Sequence, residues 1–498
     1  MKWASYFITG ALVSLLCSAA PSGPGKEGSG PWTVSHYENV LGTSMELKVS
    51  ALSPAQARVA ESAVLQEIGR MSNILSGYDA GSEFSRWFRT SGEAVHVSPE
   101  LFDVLNLFDQ WRIRSGGALD ASAEVIGRLW KQSAAEQRMP TDAELAAAVN
   151  LVHQPHWSLD AKAQTATHLS RAPLMLNSFV KSYIIRHAAD AGLACAGVSG
   201  IVVNIGGDLV VAGPQKETVL VGDPRFDAEN DLPLDRLSIG NRAVATSGNY
   251  RRGERIHGHW YSHIVDPRSG QPADDILSAT VVASSATDAG ALATAFNVMK
   301  PSESEKLAAS MPGVDYLIIT RSGQRYASKG WAALELREPM SAARTTGGKA
   351  GFELLINLEI NLQKEAVTKR PYVAVWIEDE NHAPVRTVCL WHGSNRYVPE
   401  LKSWYLKYRE LYTTDKEFGS TVTSATRSAG KYSVKWDGKD DKGNEVKPGK
   451  YTVKIEISRE HGTYQLMRQE IDWDQTARQW TLPGNIELSA VSMETRKG

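Results

Sequence analysis

Hydrophobic and polar positions alternate from residue 32 to residue 50, the period-two pattern of a strand with one buried face. Val59, Ala63, Ile68 and Met71 then recur at roughly helical spacing, which predicts a helix over 54–72. A mostly helical tract rich in Trp and Leu follows over 99–133, broken at Gly116-Gly117, and Ala143–Val152 is a further candidate helix. From 172 onward a helix at 177–191 and strands at 200–212 and 218–222 are separated by glycine turns. Helix and sheet mix without a regular βαβ repeat, so the predicted class is α+β.

The pattern changes at Arg344-Thr345-Thr346-Gly347-Gly348-Lys349-Ala350-Gly351, a glycine-rich stretch without apolar periodicity that reads as a linker. Beyond it Phe352–Leu362, Tyr372–Glu378, Tyr432–Trp436 and Tyr451–Ser458 alternate like strands. Tight Asp-Gly and Pro-Gly turns between Trp436 and Tyr451 fit a small antiparallel β-sandwich. The Asp cluster in that stretch lacks the ligand register of an EF-hand and reads as turn chemistry. The expected division is a leader at 1–20, a mixed domain at 32–337, a linker at 338–351 and a sandwich at 352–485.

Length agrees, since 498 residues exceed one ordinary core. The net charge of −2 is interspersed, and no basic run or aromatic-basic interleaving asks for nucleic acid. Lys2, the apolar run Ala4 to Leu16 and Cys17-Ser18-Ala19-Ala20 read as a secretory signal cut near Ala19 or Ala20, which places the mature chain in the periplasm. The bulky Leu16 argues against a lipid anchor on Cys17. Cys195 and Cys389, in different domains, read as free thiols.

The candidate chemistry centres on Thr246-Ser247-Gly248-Asn249-Tyr250 and Ser262-His263-Ile264-Val265-Asp266-Pro267-Arg268-Ser269-Gly270, with Arg251 and Arg252 between them. Hydroxyls and backbone N–H groups at a glycine turn bind phosphate oxygens. Arginine neutralises phosphate, and His263 moves a proton near neutral pH. A polar hairpin with a surface histidine is the competing reading of this unit alone. Tyr78 sits in a polar loop where its ring can stack on a planar ligand. Ser115-Gly116-Gly117-Ala118-Leu119-Asp120 lets a ligand approach the backbone or simply caps a helix. Val202 to Leu209 is a strand with a Gly206-Gly207-Asp208 turn, not a dinucleotide fingerprint. Ser284 to Phe296 predicts a capped helix of small residues whose oxygens suit Mg²⁺ or whose faces simply pack closely.

In order along the chain, Gly42-Thr43, Tyr78, Gly117 to Asp120, Lys181, Asn204 to Asp208, Thr246-Ser247-Gly248, His263 to Gly270 and Ala291-Leu292-Ala293-Thr294 resemble the ApbE family, the FAD:protein FMN transferases. The resemblance spans roughly residues 35–335. The segment behind it is similar to uncharacterised β-rich domains often fused to that family and looks like an immunoglobulin-type sandwich. The resemblance implies a periplasmic enzyme that splits FAD, transfers FMN to a Thr or Ser of an acceptor protein and releases AMP. His263 is the implied base. Leu41, Tyr78, Ala118, Leu119, Asp120, Lys181, Thr246, Ser247, Gly248, Ile264 and Arg268 are the implied cofactor contacts, with Arg268 either supplying charge or fixing its turn. Mg²⁺ is the implied metal, held by the Ser178 carbonyl, Thr294 and a carboxylate. Acceptors with a Ser/Thr-x-Ala-Thr-like motif are the implied partners, among them membrane redox subunits.

Two departures stand out. Met175, Asn177 and Ser182 occupy positions where the family usually has Asp, Gly and Gly, so a carboxylate that contacts the cofactor is missing. Four residues before Thr294, where the family has the metal-binding Asp, stands Gly290. Asp288 is the expected replacement as the metal carboxylate, although six residues from Thr294 it lies about 240° round an ideal helix. It reaches the metal only if the helix starts after it or an insertion shifts the register. Otherwise the chain is a weakened flavin-binding protein serving a membrane redox partner. Thr423-Ser424-Ala425-Thr426 itself resembles the acceptor motif, making Thr426 a candidate acceptor in cis or part of an ordinary polar loop.

Overall fold

The computed structural model describes residues 30–225, 228, 230–231, 233–249, 252–336, 351–361, 370–392, 395–414, 423–424, 426–427, 429–459 and 463–497. The leader, most of the linker, Tyr250, Arg251 and Ala425 lie outside them. Among the described residues no helix is long and apolar enough to cross a membrane.

The first domain is built on an eight-stranded sheet. Its strands, in spatial order, are Trp32–Val40, Thr43–Ala51, Val198–Ile205, Asp208–Ala212, Ala243–Gly248, Ile276–Ala283, Asp315–Thr320 and Arg325–Ala327. Every neighbouring pair is antiparallel. The tract expected as one strand at 200–212 is folded back on itself at Gly206-Gly207. Both glycines have positive φ (59° and 93°), which costs them no Cβ clash.

Helices Pro54–Leu75, Val180–Leu193 and Ala286–Val298 cover one face of this sheet and close the main core with Val203, Ala245 and Val281 beneath them. Each boundary has a local cause. Ser53 accepts from the Gln56 N–H ahead of Pro54, and Ser285 accepts from the Asp288 N–H. The opposite face carries a smaller core of Val202, Val211, Val244 and Leu317 under the hairpin Lys216–Val221/Asp235–Gly240 and Trp331.

The second domain is a sandwich of a four-stranded and a five-stranded sheet. Pairing is antiparallel except where Thr423–Ser424 runs parallel to Leu390-Trp391. Leu354, Ile356 and Leu358 of one sheet meet Val373, Val375 and Ile377 of the other in a common core. Strand Tyr372–Asp379 is buried on both faces, because Ala374 and Trp376 pack outward against Trp404 and Tyr408 of helix Lys402–Thr414. The end expected at 485 falls short. Leu488–Lys497 pairs along the whole of Phe352–Ile360 and lies inside its sheet.

The domains touch. Asn230 pairs its side-chain amide with the backbone of Lys435, donating to its carbonyl and accepting from its N–H at 2.8 Å each. Arg370 donates to the Tyr37 carbonyl at 2.9 Å.

Candidate active site

Five segments of the first domain converge on one cavity of about 690 Å³. The first follows helix Pro99–Arg114, where Gly116 and Gly117 turn at φ 59° and 83° and release Ala118, Leu119 and Asp120 into the wall. Asp120 is committed locally: one carboxylate oxygen accepts from the Ser122 N–H at 2.8 Å and hydroxyl at 2.6 Å. Its backbone neighbourhood therefore offers more to a ligand than its charge does.

The second segment leads into helix Val180–Leu193 and contributes Met175, Asn177, Ser178 and Lys181. The third is the Gly206-Gly207-Asp208 turn. The fourth is helix Ala286–Val298, which presents Gly290, Ala293 and Thr294 on one face, as spacings of three and four require. The Thr294 hydroxyl donates to the Ser178 carbonyl at 2.9 Å. An oxygen of this helix and one of the turn before helix Val180–Leu193 thus meet at one point.

The fifth segment carries the proton chemistry. Strand Ala243–Gly248 delivers Thr246, Ser247 and Gly248, and hairpin Gly253–Ile256/His259–Ser262 leads to His263 and Ile264. His263 Nδ1 lies 3.0 Å from the Arg252 carbonyl. A carbonyl only accepts, so Nδ1 carries the hydrogen and Nε2 is the basic nitrogen of the neutral ring. Burial is the largest influence on this imidazole and lowers its pKa below the ordinary value. The carbonyl bond opposes that shift, and the Arg252 charge reinforces it.

Behind His263 the chain makes a braced turn. Asp266 accepts from the Arg268 N–H and from Nε at 2.9 Å each and from Nη2 at 2.9 Å, while Nη1 of Arg268 reaches Glu303 at 3.1 Å. Trp130 Nε1 donates to the Gly270 carbonyl at 2.8 Å and ties the turn to helix Glu124–Ala135.

Comparison with known proteins gives this arrangement a family. The model described as the ApbE family matches residues 41–318, more than half of the chain. The chain belongs to the ApbE family. Residues 353–490 match the family described as "Predicted periplasmic protein (DUF2271)". Among similar proteins, the FAD:protein FMN transferase of Vibrio cholerae is 29% identical over 304 residues, 58% of this chain and 86% of that one. That of Treponema pallidum is 29% identical over 348 residues, 65% and 94% of the two chains. The crystal structure of the ApbE protein from Thermotoga maritima superposes with a TM-score of 0.55 at 26% identity, covering 62% of this chain and all of its own. Membership in the ApbE family places this chain among transferases.

Not every residue expected at the site enters the cavity wall. Arg268 spends its guanidinium on Asp266 and Glu303, so it fixes the turn behind His263. Tyr78 stands at the rim, 78% exposed, with its hydroxyl accepting from the Asn177 amide at 2.6 Å. Leu41 turns the first hairpin at φ 50° and packs against the core, away from the cavity lining.

Asp288 is the main correction. It lies in the first turn of helix Ala286–Val298, which runs from its Ser285 cap without an insertion, so the 240° offset from Thr294 stands. Its side chain lines a separate cavity with Arg114, Leu307 and Met311. Thr426 is also unsuited to act as an acceptor in this conformation, being 4% exposed with its carbonyl accepting from Arg370.

Three supporting contacts were not read from the sequence. Asn297 donates to the Ser247 carbonyl at 3.0 Å and pins the Thr-Ser-Gly segment to the helix carrying Thr294. Asp208 pairs with Lys181 Nζ at 3.1 Å and accepts from the Ser182 hydroxyl at 3.2 Å. Only the apolar-polar pattern around 286–298 marks Asn297, as a polar residue at a buried position.

Among the described residues no group of three His, Cys, Asp or Glu converges as a metal site. The Ser178 carbonyl and the Thr294 hydroxyl, with a carboxylate of the same cavity wall, nevertheless fit Mg²⁺, which takes one or two carboxylates and completes its shell with water and phosphate oxygens.

Proposed function

We propose that this protein is a periplasmic FAD:protein FMN transferase acting on a Thr or Ser hydroxyl of an acceptor protein. The observation that supports this most is the single cavity shared by a histidine with a free basic nitrogen and the paired Ser178 and Thr294 oxygens.

In this reading FAD lies along the wall formed by Ala118, Leu119, Asp120 and Lys181, its pyrophosphate over Thr246, Ser247 and Gly248. His263 Nε2 takes the proton of the acceptor hydroxyl. The acceptor oxygen forms a bond to the FMN phosphorus as the bridging P–O bond breaks, and AMP leaves with the bridging electron pair. Ser178 and Thr294 would hold Mg²⁺, which when bound would supply charge neutralisation at the phosphates. Lys181 adds a positive charge on the same side, and the Arg268–Asp266 clamp holds His263 in register.

The acceptor is expected to carry a Ser/Thr-x-Ala-Thr-like motif, with membrane redox subunits as the partner class. The periplasmic placement draws on the leader and on the description of the family matched by the second domain. Gly290 supports a second reading, a flavin-binding protein weakened in transfer.

Incubating purified protein with FAD and Mg²⁺ separates the two. AMP release lost in His263→Ala supports the transferase, and bound FAD without AMP supports the weakened binder.

A further inference from the structure

The missing carboxylate of the helix carrying Thr294 has a physical counterpart elsewhere in the cavity. A Cβ built on Gly290 meets Ser182 Oγ at 2.5 Å, Ser182 Cβ at 3.0 Å and Phe179 Cα at 3.3 Å. The hydroxyl can rotate away; the Cβ and the backbone carbon cannot. Position 290 is therefore crowded for any side chain while Ser182 is present, and a carboxylate from that helix would have to push Ser182 and Phe179 back by a few tenths of an ångström.

The Ser182 hydroxyl in turn donates to Asp208, whose carboxylate lines the cavity with Ser178, Gly290 and Thr294. Asp120 and Glu124 line the same cavity, but neither bonds to Ser182, the residue that abuts position 290. Asp120 caps its own turn, Glu124 accepts from Arg128 at 2.9 Å, and Asp288 faces a different cavity.

We infer that Asp208, projecting from the sheet turn, supplies the carboxylate for the divalent cation in this chain, in place of a helix residue at 290. The inference rests on the transferase reading above. Without the cation, Lys181 balances the Asp208 charge at 3.1 Å and the Thr246 N–H approaches its other oxygen at 3.4 Å. A divalent cation takes over that neutralisation and leaves the ammonium for a phosphate oxygen. Asp208 is mostly buried, with 13% of its side chain exposed, so its charge always requires one partner or the other.

The test uses the full-length chain in a His263→Ala background, which keeps FAD intact, and Mn²⁺ as the probe. Binding is read from depletion of the free-ion EPR signal with FAD present, and FAD binding separately from flavin fluorescence quenching in EDTA. Asp208→Asn is expected to weaken Mn²⁺ binding more than ~10-fold, the scale of losing even an outer-shell partner, while FAD quenching persists. Asp288→Asn is expected to leave both unchanged. Adding Ser182→Gly with Gly290→Asp to Asp208→Asn is expected to restore Mn²⁺ binding, since the helix position then opens.

Unchanged Mn²⁺ affinity in Asp208→Asn overturns the assignment and leaves the transferase reading intact. Loss of FAD quenching in that variant also overturns it, because Asp208 is then a structural partner of Lys181. Failure of the His263→Ala parent to bind FAD removes the transferase reading and the inference with it.

Discussion

His263 is defined by what its second nitrogen does. With Nδ1 donating to a carbonyl, only Nε2 can act as a base, and only while the ring is neutral. Burial lowers the pKa, so the ring loses its proton earlier as pH rises. AMP release is therefore expected to climb with pH to a midpoint below the ordinary imidazole value of about 6.5 and then stay level. Initial rates across a pH series check this. A midpoint above that value contradicts it, and His263→Ala should lose the limb together with ~10²–10⁴ of the rate. Arg268→Ala removes the bonds to Asp266 and Glu303. It should cost about 1 kcal/mol in urea denaturation, allowing for solvent around a side chain 29% exposed. Turnover should fall with FAD affinity held. Lost FAD affinity at unchanged stability would mean instead that the guanidinium meets phosphate.

For the elements, spacing within one helix was legible and contact between helices was not. Helical geometry alone places Asp288 about 240° from Thr294, and the structure keeps that offset because the helix is continuous. Nothing in the spacing of 286–298 reveals that Gly290 abuts Ser182, a residue more than a hundred positions earlier. Gly290→Ala tests that contact without any ligand. Helix propensity favours Ala by roughly 1 kcal/mol, whereas overpacking against Ser182 and Phe179 costs about 1–3 kcal/mol. The variant should be destabilised in thermal melts. Ser182→Gly should relieve it, with a coupling of about 0.5–3 kcal/mol in the double-mutant cycle. Additive effects would show that the two positions do not touch. The strand turn at Gly206-Gly207 was readable as a turn, since paired glycines before Asp208 permit positive φ. Its approach to Lys181 was not, because that depends on how helix Val180–Leu193 lies on the sheet.

At the scale of the molecule, two separate cores imply two cooperative units. Calorimetry is expected to resolve two transitions, and Asn230→Ala, which removes both bonds to Lys435, should move them apart. A single unchanged transition would show that the domains unfold as one. Alternation and turn residues made the sandwich readable, because a strand with one buried face advertises itself in its period of two. The strand Leu488–Lys497 was missed because its register shifts at Ser489, which sets Leu488 three positions from Val491 and breaks the period of two. By itself, the sequence determined the α+β class and the order of the site segments, and it named His263 as the candidate base. Those properties follow from local geometry and residue chemistry. Only the tertiary structure decided that Ser182 crowds position 290, that Arg268 braces a turn instead of facing a ligand, and that Asp208 meets Lys181. Each of these is a contact between distant segments, set by how helices and strands pack and recorded in no local pattern.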